Sequence, residues 1–195
     1  MISMFIQNTE VSNVLAGKVV DEFEVDGKEV KIRYPEMRDV DDLLEYINSV
    51  IEERKYLILL EKKDREEEVS WLSNVLEEVE KKEKLYLVVE VDGKVMGGAS
   101  IDTEKEARSH VGDFAIALKK EIREIGIGTS LAKAIFSEAK EKLGVETIKF
   151  RVFEKNKRAR NFYKKLGFEK RGRIEDDVCI DGEYQDSIIM QKKLE

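Results

Sequence analysis

Apolar residues change their spacing several times along the chain, and each change marks an element. Residues 22–25 and 30–34 flank Asp26-Gly27, a pair that tolerates the positive φ angles of a type I′ turn, so a β-hairpin ending at Pro35 is predicted. Val40, Leu43, Leu44, Ile47, Val50 and Ile51 follow three-four spacing, which predicts an amphipathic helix capped by Asp39, with Asp41 and Asp42 at its positive end. The spacing returns within residues 66–81 at Val69, Leu72, Val75, Leu76 and Val79, under an outer face so charged that it reads as solvated surface. Residues 85–91 and 94–101 around Asp92-Gly93 predict a second hairpin, whose first arm is apolar enough throughout to be a central strand. Residues 111–118 make a third strand.

Beyond that strand the period alternates. Leu131, Ala134, Ile135 and Ala139 mark a helix, Ile148, Phe150 and Val152 a strand, and Ala159, Phe162, Tyr163 and Leu166 another helix, which is an α/β signature. The tail reads as strands over 168–174 and 178–180, a turn at Asp181-Gly182, and a last strand through Ile188-Ile189-Met190. With no internal repeat or interdomain linker, the expectation is an N-terminal arm over residues 1–27, holding part of a hairpin, and one domain over 28–195.

Composition narrows the classes. The 195 residues carry 42 acidic and 35 basic side chains, a net charge of −7, and 42% hydrophobic residues, enough for a sizeable core. The acidic balance weighs against nucleic acid as a partner, because nucleic-acid binding needs a basic face to release counterions. The apolar run 57–60 stops far short of the ~20 residues of a membrane span, so no membrane partner is expected. The first residues carry Glu10 and Lys18 without a basic region running into an apolar stretch, unlike a signal peptide. Cys179 has no second cysteine to pair with and fits a reducing compartment, so the expected location is cytoplasmic. One histidine and one cysteine give no metal-ligand pattern, and no metal is expected. The Lys- and Glu-rich composition with a single proline fits ion-pair networks of the thermophilic kind.

The chemistry concentrates in two segments. Arg123-Glu124-Ile125-Gly126-Ile127-Gly128-Thr129 lies between the strand ending at Leu118 and the helix holding Leu131. Glycines there permit close backbone approach, and N–H groups at a helix start make an anion site of a size for pyrophosphate. A turn that merely needs flexible residues explains the same pattern. Leu131 stands where the dinucleotide fingerprint needs its third glycine, and no Gly-Lys-Ser/Thr follows to make a P-loop. The second segment is Asn156-Lys157-Arg158-Ala159-Arg160-Asn161-Phe162-Tyr163-Lys164-Lys165-Leu166-Gly167-Phe168.

Together, Arg-x-x-Gly-x-Gly and Asn-x-x-Ala-x-x-Phe-Tyr-x-x-x-Gly-Phe, with a strand between them, resemble the GNAT superfamily of acyl-CoA-dependent N-acyltransferases, over roughly residues 28–194. The closing Asp181-Gly182-Glu183-Tyr184-x-Asp186-x-Ile188-x-Met190 is similar to the end of the branch containing ribosomal-protein N-terminal acetyltransferases. The resemblance implies a GNAT fold, a mixed and mostly antiparallel twisted sheet with helices on both faces. It implies acetyl-CoA as co-substrate and an amine acceptor, here favoured as the α-amine of a peptide or protein N-terminus over a polyamine, an antibiotic or a non-catalytic CoA-binding role. A homodimer is among its expectations.

Laid on matching residues, the resemblance puts the CoA pyrophosphate on the amides of Ile125, Gly126, Ile127, Gly128 and Thr129 beside Arg123. It puts pantetheine along the backbone of Ile116, Ala117 and Leu118 where that strand splays from its neighbour, Asn156 on the pantetheine arm, and Tyr163 near the thioester sulfur. Glu124 departs from the glycine of many relatives, placing an acidic side chain beside a polyanion, so it has to point outward. Arg160, with Lys155, Lys157 and Arg158, surrounds the Asn156 cap, which reads either as a solvated helix start or, because cations are slightly unfavourable there, as the place of an anion such as the 3′-phosphate of CoA.

Attack of an amine on a thioester independently wants a backbone N–H for the oxyanion and a proton donor for the leaving thiolate, for which Tyr163 is the candidate. On the apolar stripe of its helix, Tyr163 also reads as a core residue. His110 has a suitable ordinary pKa for a general base, and stands just ahead of a strand, where histidines are commonly structural. Trp71 is a candidate for the acceptor pocket or for packing.

Overall fold

The computed structural model describes residues 15–55 and 57–194. Most of the N-terminal arm lies outside them. The elements in chain order are β1 (Val19–Val25), β2 (Lys28–Arg33), α1 (Val40–Glu52), α2 (Arg65–Glu80), β3 (Lys84–Val91), β4 (Lys94–Thr103), β5 (Val111–Leu118), α3 (Ile127–Leu143), β6 (Thr147–Phe153), α4 (Lys157–Lys165), β7 (Glu169–Ile180) and β8 (Glu183–Lys193). The eight strands form one sheet in the order β1-β2-β3-β4-β5-β6-β8-β7. β5 and β6 run parallel, and every other neighbouring pair is antiparallel. This is the mixed, mostly antiparallel α/β architecture expected. Among the described residues no helix is long and apolar enough to cross a membrane.

Strand register assigns the two faces. Leu85, Ile101 and Phe114 are successive partners across β3, β4 and β5, as are Val88, Gly98 and Ala117 one face over. Phe114 meets Phe136 of α3 and Tyr163 of α4 edge-on, so α3 and α4 cover the first face. Trp71 of α2 meets Tyr86 edge-on and Tyr46 of α1 donates a hydrogen bond to Ala117 O at 3.0 Å, so α1 and α2 cover the second. β3 is covered on both sides, which is why its sequence is apolar without alternation.

Two local expectations are corrected. Asp39 does not cap α1 with its side chain. Its carboxylate takes both Nη atoms of Arg33 at 2.8 Å and the Glu36 N–H at 2.9 Å, while Arg33 Nε donates to Glu90 at 2.7 Å. Arg33 and Asp39 are each only 4% exposed, so the ion pair stands inside the core edge, where both charges need partners. The predicted strands 168–174 and 178–180 are one strand, β7, with irregularities between Lys170 and Gly172 and between Ile174 and Val178. Asp176 there has φ +49, the left-handed conformation of a residue squeezed out of the ladder.

At the N-terminus, residues 19–25 are the edge strand of this same sheet, so the hairpin divided at residue 27 in the expected domain scheme is continuous with the rest.

Candidate active site

β5 pairs with β6 only through Val111, Gly112 and Asp113, opposite Thr147, Ile148 and Lys149. From Phe114 onward the two strands part, and the β5 edge toward β6 is left open. Leu118 O on that edge accepts from Arg123 Nε at 2.8 Å, whereas Ala117 O faces the Tyr46 hydroxyl. Backbone groups alternate along a strand, so Ile116 aims its N–H and C=O at the same open edge as Leu118.

A cavity of about 650 Å³ opens against this edge. Ile116, Ala117 and Leu118 form one wall, the Arg123 to Thr129 turn a second, Asn156, Ala159 and Phe162 of α4 a third, and Val50, Glu53 and Leu57 a fourth. The motifs that the sequence separates thus border one space.

The turn enters α3 through Gly126, whose φ of +96° is one that side chains rarely adopt, and a Cβ built there would meet nothing within 4 Å. Gly128 is tighter, with Leu118 Cδ1 3.3 Å from its would-be Cβ. α3 has no side-chain cap, so its first N–H groups point toward the cavity mouth without intrahelical acceptors. Thr129 N–H is an exception among the five amides expected to serve, since it already donates to Gly126 O at 2.9 Å. Ile127 is fully buried, so any contribution to the cavity is by its backbone. Ile125 packs against the core.

Glu124 holds φ +69, a conformation glycine takes freely, and the exposed residue borders the cavity. Asn156 Oδ1 caps α4 by accepting from Ala159 N at 3.0 Å, which leaves the side-chain NH₂ as a donor at the cavity wall.

Other expected residues stand differently. Arg123 is committed to Glu53, donating from Nη1 at 2.8 Å and also from Nη2, and this hydrogen-bonded pairing holds the Glu53 carboxyl below its ordinary range. Arg160 donates to Glu154 O at 2.9 Å and does not border the cavity; Arg158, Asn161 and Lys165 do. His110 is exposed at the far end of β5, eight residues before Leu118 or roughly 27 Å at strand rise. The structure does not bring its imidazole to the cavity.

Tyr163 lies one residue behind the cavity-lining Phe162, with its ring centroid 4.1 Å from that of Phe150. Burial pushes its hydroxyl well above the ordinary tyrosine range. Among the described residues, Glu36 Oε1 is the fully buried side-chain oxygen that lacks a hydrogen bond, so the Tyr163 hydroxyl, which has none either, keeps contact with solvent.

Glu53, Leu57 and Lys165 carry no motif signal. Glu53 and Leu57 belong to the end of α1 and the loop after it, far from the cavity in sequence. Lys165 is one of a Lys-Lys pair that reads as surface.

Residues 47–168 match the Acetyltransferase (GNAT) family, more than half of the chain, and the chain belongs to that family. It is 34% identical to the Escherichia coli (strain K12) L-amino acid N-acetyltransferase AaaT over 107 residues, 54% of this chain and 66% of AaaT, just under two thirds of that relative's length. Against the N-alpha-acetyltransferase of Sulfurisphaera tokodaii the identity is 30% over 155 residues, 74% of this chain and 83% of that protein. In fold it is similar to yncA of Salmonella typhimurium, a structure determined with its cofactor acetyl-CoA. The TM-score is 0.75 at 18% identity, covering 85% of this chain and 94% of that one.

The cavity fits such a cofactor on its own terms. It joins unpaired helix-start amides and the cations Arg158 and Lys165, suited to phosphates, to an open strand edge suited to an amide-bearing arm.

Proposed function

We propose that the protein transfers an acetyl group from acetyl-CoA to an α-amine by direct attack. The observation that carries this is the open β5 edge at Ile116 and Leu118, placed against an uncapped helix start. Pantetheine amides would pair with the edge as an added strand, and the pyrophosphate would lie on the amides of Gly126, Ile127 and Gly128. The Asn156 NH₂ would hold the arm from the other side. An N–H of the β5 edge would stabilise the tetrahedral oxyanion, and the Tyr163 hydroxyl would protonate the departing thiolate.

The acceptor is proposed as an α-amine for two reasons. An α-amine has a reference pKa of about 7.7–8.0 against about 10.4 for a lysine, so it is the easier nucleophile to deprotonate near neutrality. The names of the two relatives given above, an L-amino acid N-acetyltransferase and an N-alpha-acetyltransferase, both point to that group. A peptide or protein N-terminus is favoured by the similarity of the Asp181 to Met190 segment. A free amino acid is the second reading, carried by the AaaT relation.

Mass spectrometry over amino acids, spermidine and peptides with free or blocked N-termini tests this. Free N-termini should gain 42 Da (about one acetyl group) and blocked, lysine-bearing peptides none. Efficient modification of spermidine or lysine side chains alone would overturn the acceptor.

Gly126→Val should weaken acetyl-CoA binding at least tenfold by calorimetry, because valine is strained at φ +96 and its branches fill the space over the helix start. Native affinity with an intact fold would remove the turn from the binding site.

A further inference from the structure

The proposed thioester would sit at the β5 edge with its cofactor on the α3 and α4 face, since Gly126, Gly128, Ala159 and Phe162 all border the cavity from that side. A nucleophile cannot approach through the cofactor, so the acceptor amine comes from the other face. There the side chains of Ala115 and Ala117 are too small to block it. α1 and α2 supply what lies above them.

Three polar side chains converge on this second face. Tyr46 spans to Ala117 O. The Tyr86 hydroxyl lies so close over Gly98, the partner of Ala117, that a Cβ there would be 2.6 Å from it. The third is Glu68, on the buried stripe of α2, the helix whose Trp71 packs on Tyr86.

Glu68 is 5% exposed, and while its N–H donates to Asp64 O, its carboxyl has no hydrogen bond or ion pair among the described residues. By the same reasoning as for Tyr163, its carboxyl oxygens therefore keep contact with solvent. A carboxyl buried to this degree is ordinarily paired, because burying it alone opposes folding. Its position is not accidental in the sequence either. Glu68, Leu72, Val75 and Val79 lie at successive helical steps on the stripe that α2 buries, so an acid occupies a core position.

We propose that Glu68 is the proton acceptor for the incoming ammonium. The ionised Glu68 takes one proton from the ammonium, directly or through a water at its carboxyl, and leaves a neutral amine with a free electron pair. That pair forms the N–C bond to the thioester carbon. As the C–S bond breaks, the sulfur keeps its electrons and is protonated, the nitrogen loses its second proton, and Glu68 returns its proton to solvent. One amide, one thiol and one released proton balance the reaction.

The surroundings suit this role. Burial pushes the Glu68 carboxyl up to about 7, opposed by Lys63 and aided by Glu67, so it both holds and releases a proton near neutrality. Its charge is felt at Tyr46 of α1 and Tyr86 of β3, both of which burial keeps protonated. Asp113 is another carboxyl on this face, also raised by burial, but its residue is exposed, it lies four residues from Ala117 along β5, and Lys149 counteracts the shift.

This inference rests on the acetyl-transfer reading, and the experiment separates the two. A lysine-free peptide with a free α-amine is acetylated at saturating acetyl-CoA from pH 5.5 to 9. Wild-type kcat should rise through one ionisation near pH 7. Glu68→Gln should lower kcat at pH 7 by about a hundredfold and move the rise into the amine's own range of about 7.7–8.0, with acetyl-CoA affinity unchanged. Glu68→Asp should recover part of the rate and the lower midpoint, which a merely structural carboxyl would not do, and Asp113→Asn should keep the native profile. A native midpoint and kcat in Glu68→Gln, or loss of the limb in Asp113→Asn instead, overturns the assignment while leaving acetyl transfer standing. A wild-type protein that acetylates no amine defeats both.

Discussion

Tyr163→Phe is expected to turn over about a hundredfold more slowly than the native protein while binding acetyl-CoA equally well, the loss typical of removing a general acid. The substitution is unusually clean here. The ring is held by Phe114, Phe150, Phe162 and Phe168, and none of those contacts involves the hydroxyl. Burial makes the phenol a weaker acid than usual, so it stays protonated across the working range and is available to a thiolate. Single-turnover kinetics with calorimetry on the same samples would separate chemistry from binding. Turnover within threefold of native at every pH would return Tyr163 to the aromatic core as a packing residue.

The largest loss of stability is expected from Arg33→Met. The methionine fills most of the arginine's volume but leaves Asp39, 4% exposed, without its two charged donors, and Glu90 without its Nε partner. Breaking a buried pair from one side costs about 3–5 kcal/mol, because the abandoned charge cannot return to water. Urea denaturation would measure it. Arg33→Met with Asp39→Leu should recover part of the loss, since it removes the abandoned Asp39 charge while Glu90 stays without its Nε partner. A single variant within 1 kcal/mol of native would mean that water reaches Asp39, making the pair a surface one (about 0–1 kcal/mol).

Where sequence was informative, the reason is local. The three Asp-Gly pairs mark hairpin turns because positive φ at both residues excludes most alternatives, and Asp26, Asp92 and Asp181 all adopt it. Helical stripes and the two motifs placed α1 to α4 and most of the cavity. What was missed depends on partners distant in the chain. Asp39 reads as a cap until Arg33 is seen to claim its carboxylate. Arg123 reads as a phosphate ligand until Glu53 is found 70 residues away holding it. Arg158 and Arg160 differ by two residues, a near half-turn of helix, which decides that one borders the cavity and the other faces Glu154 O. Glu68 was hidden by company: amid Arg65, Glu66 and Glu67 it reads as one more solvated acid, although its register with Leu72 and Val75 places it inside. The irregularities in β7 made one strand look like two.

The parted strands have a consequence for the lifetime of the protein. An open edge inside a sheet lacks the ladder that would otherwise resist local opening, so this notch opens more easily than a fully paired stretch would. A ligand that completes the ladder stabilises the folded state with the logarithm of its concentration. On the reading given above, that ligand is the acetyl donor itself. A cell rich in acetyl-CoA would then hold a longer-lived enzyme, and starvation would thin the enzyme through proteolysis before any regulator acted.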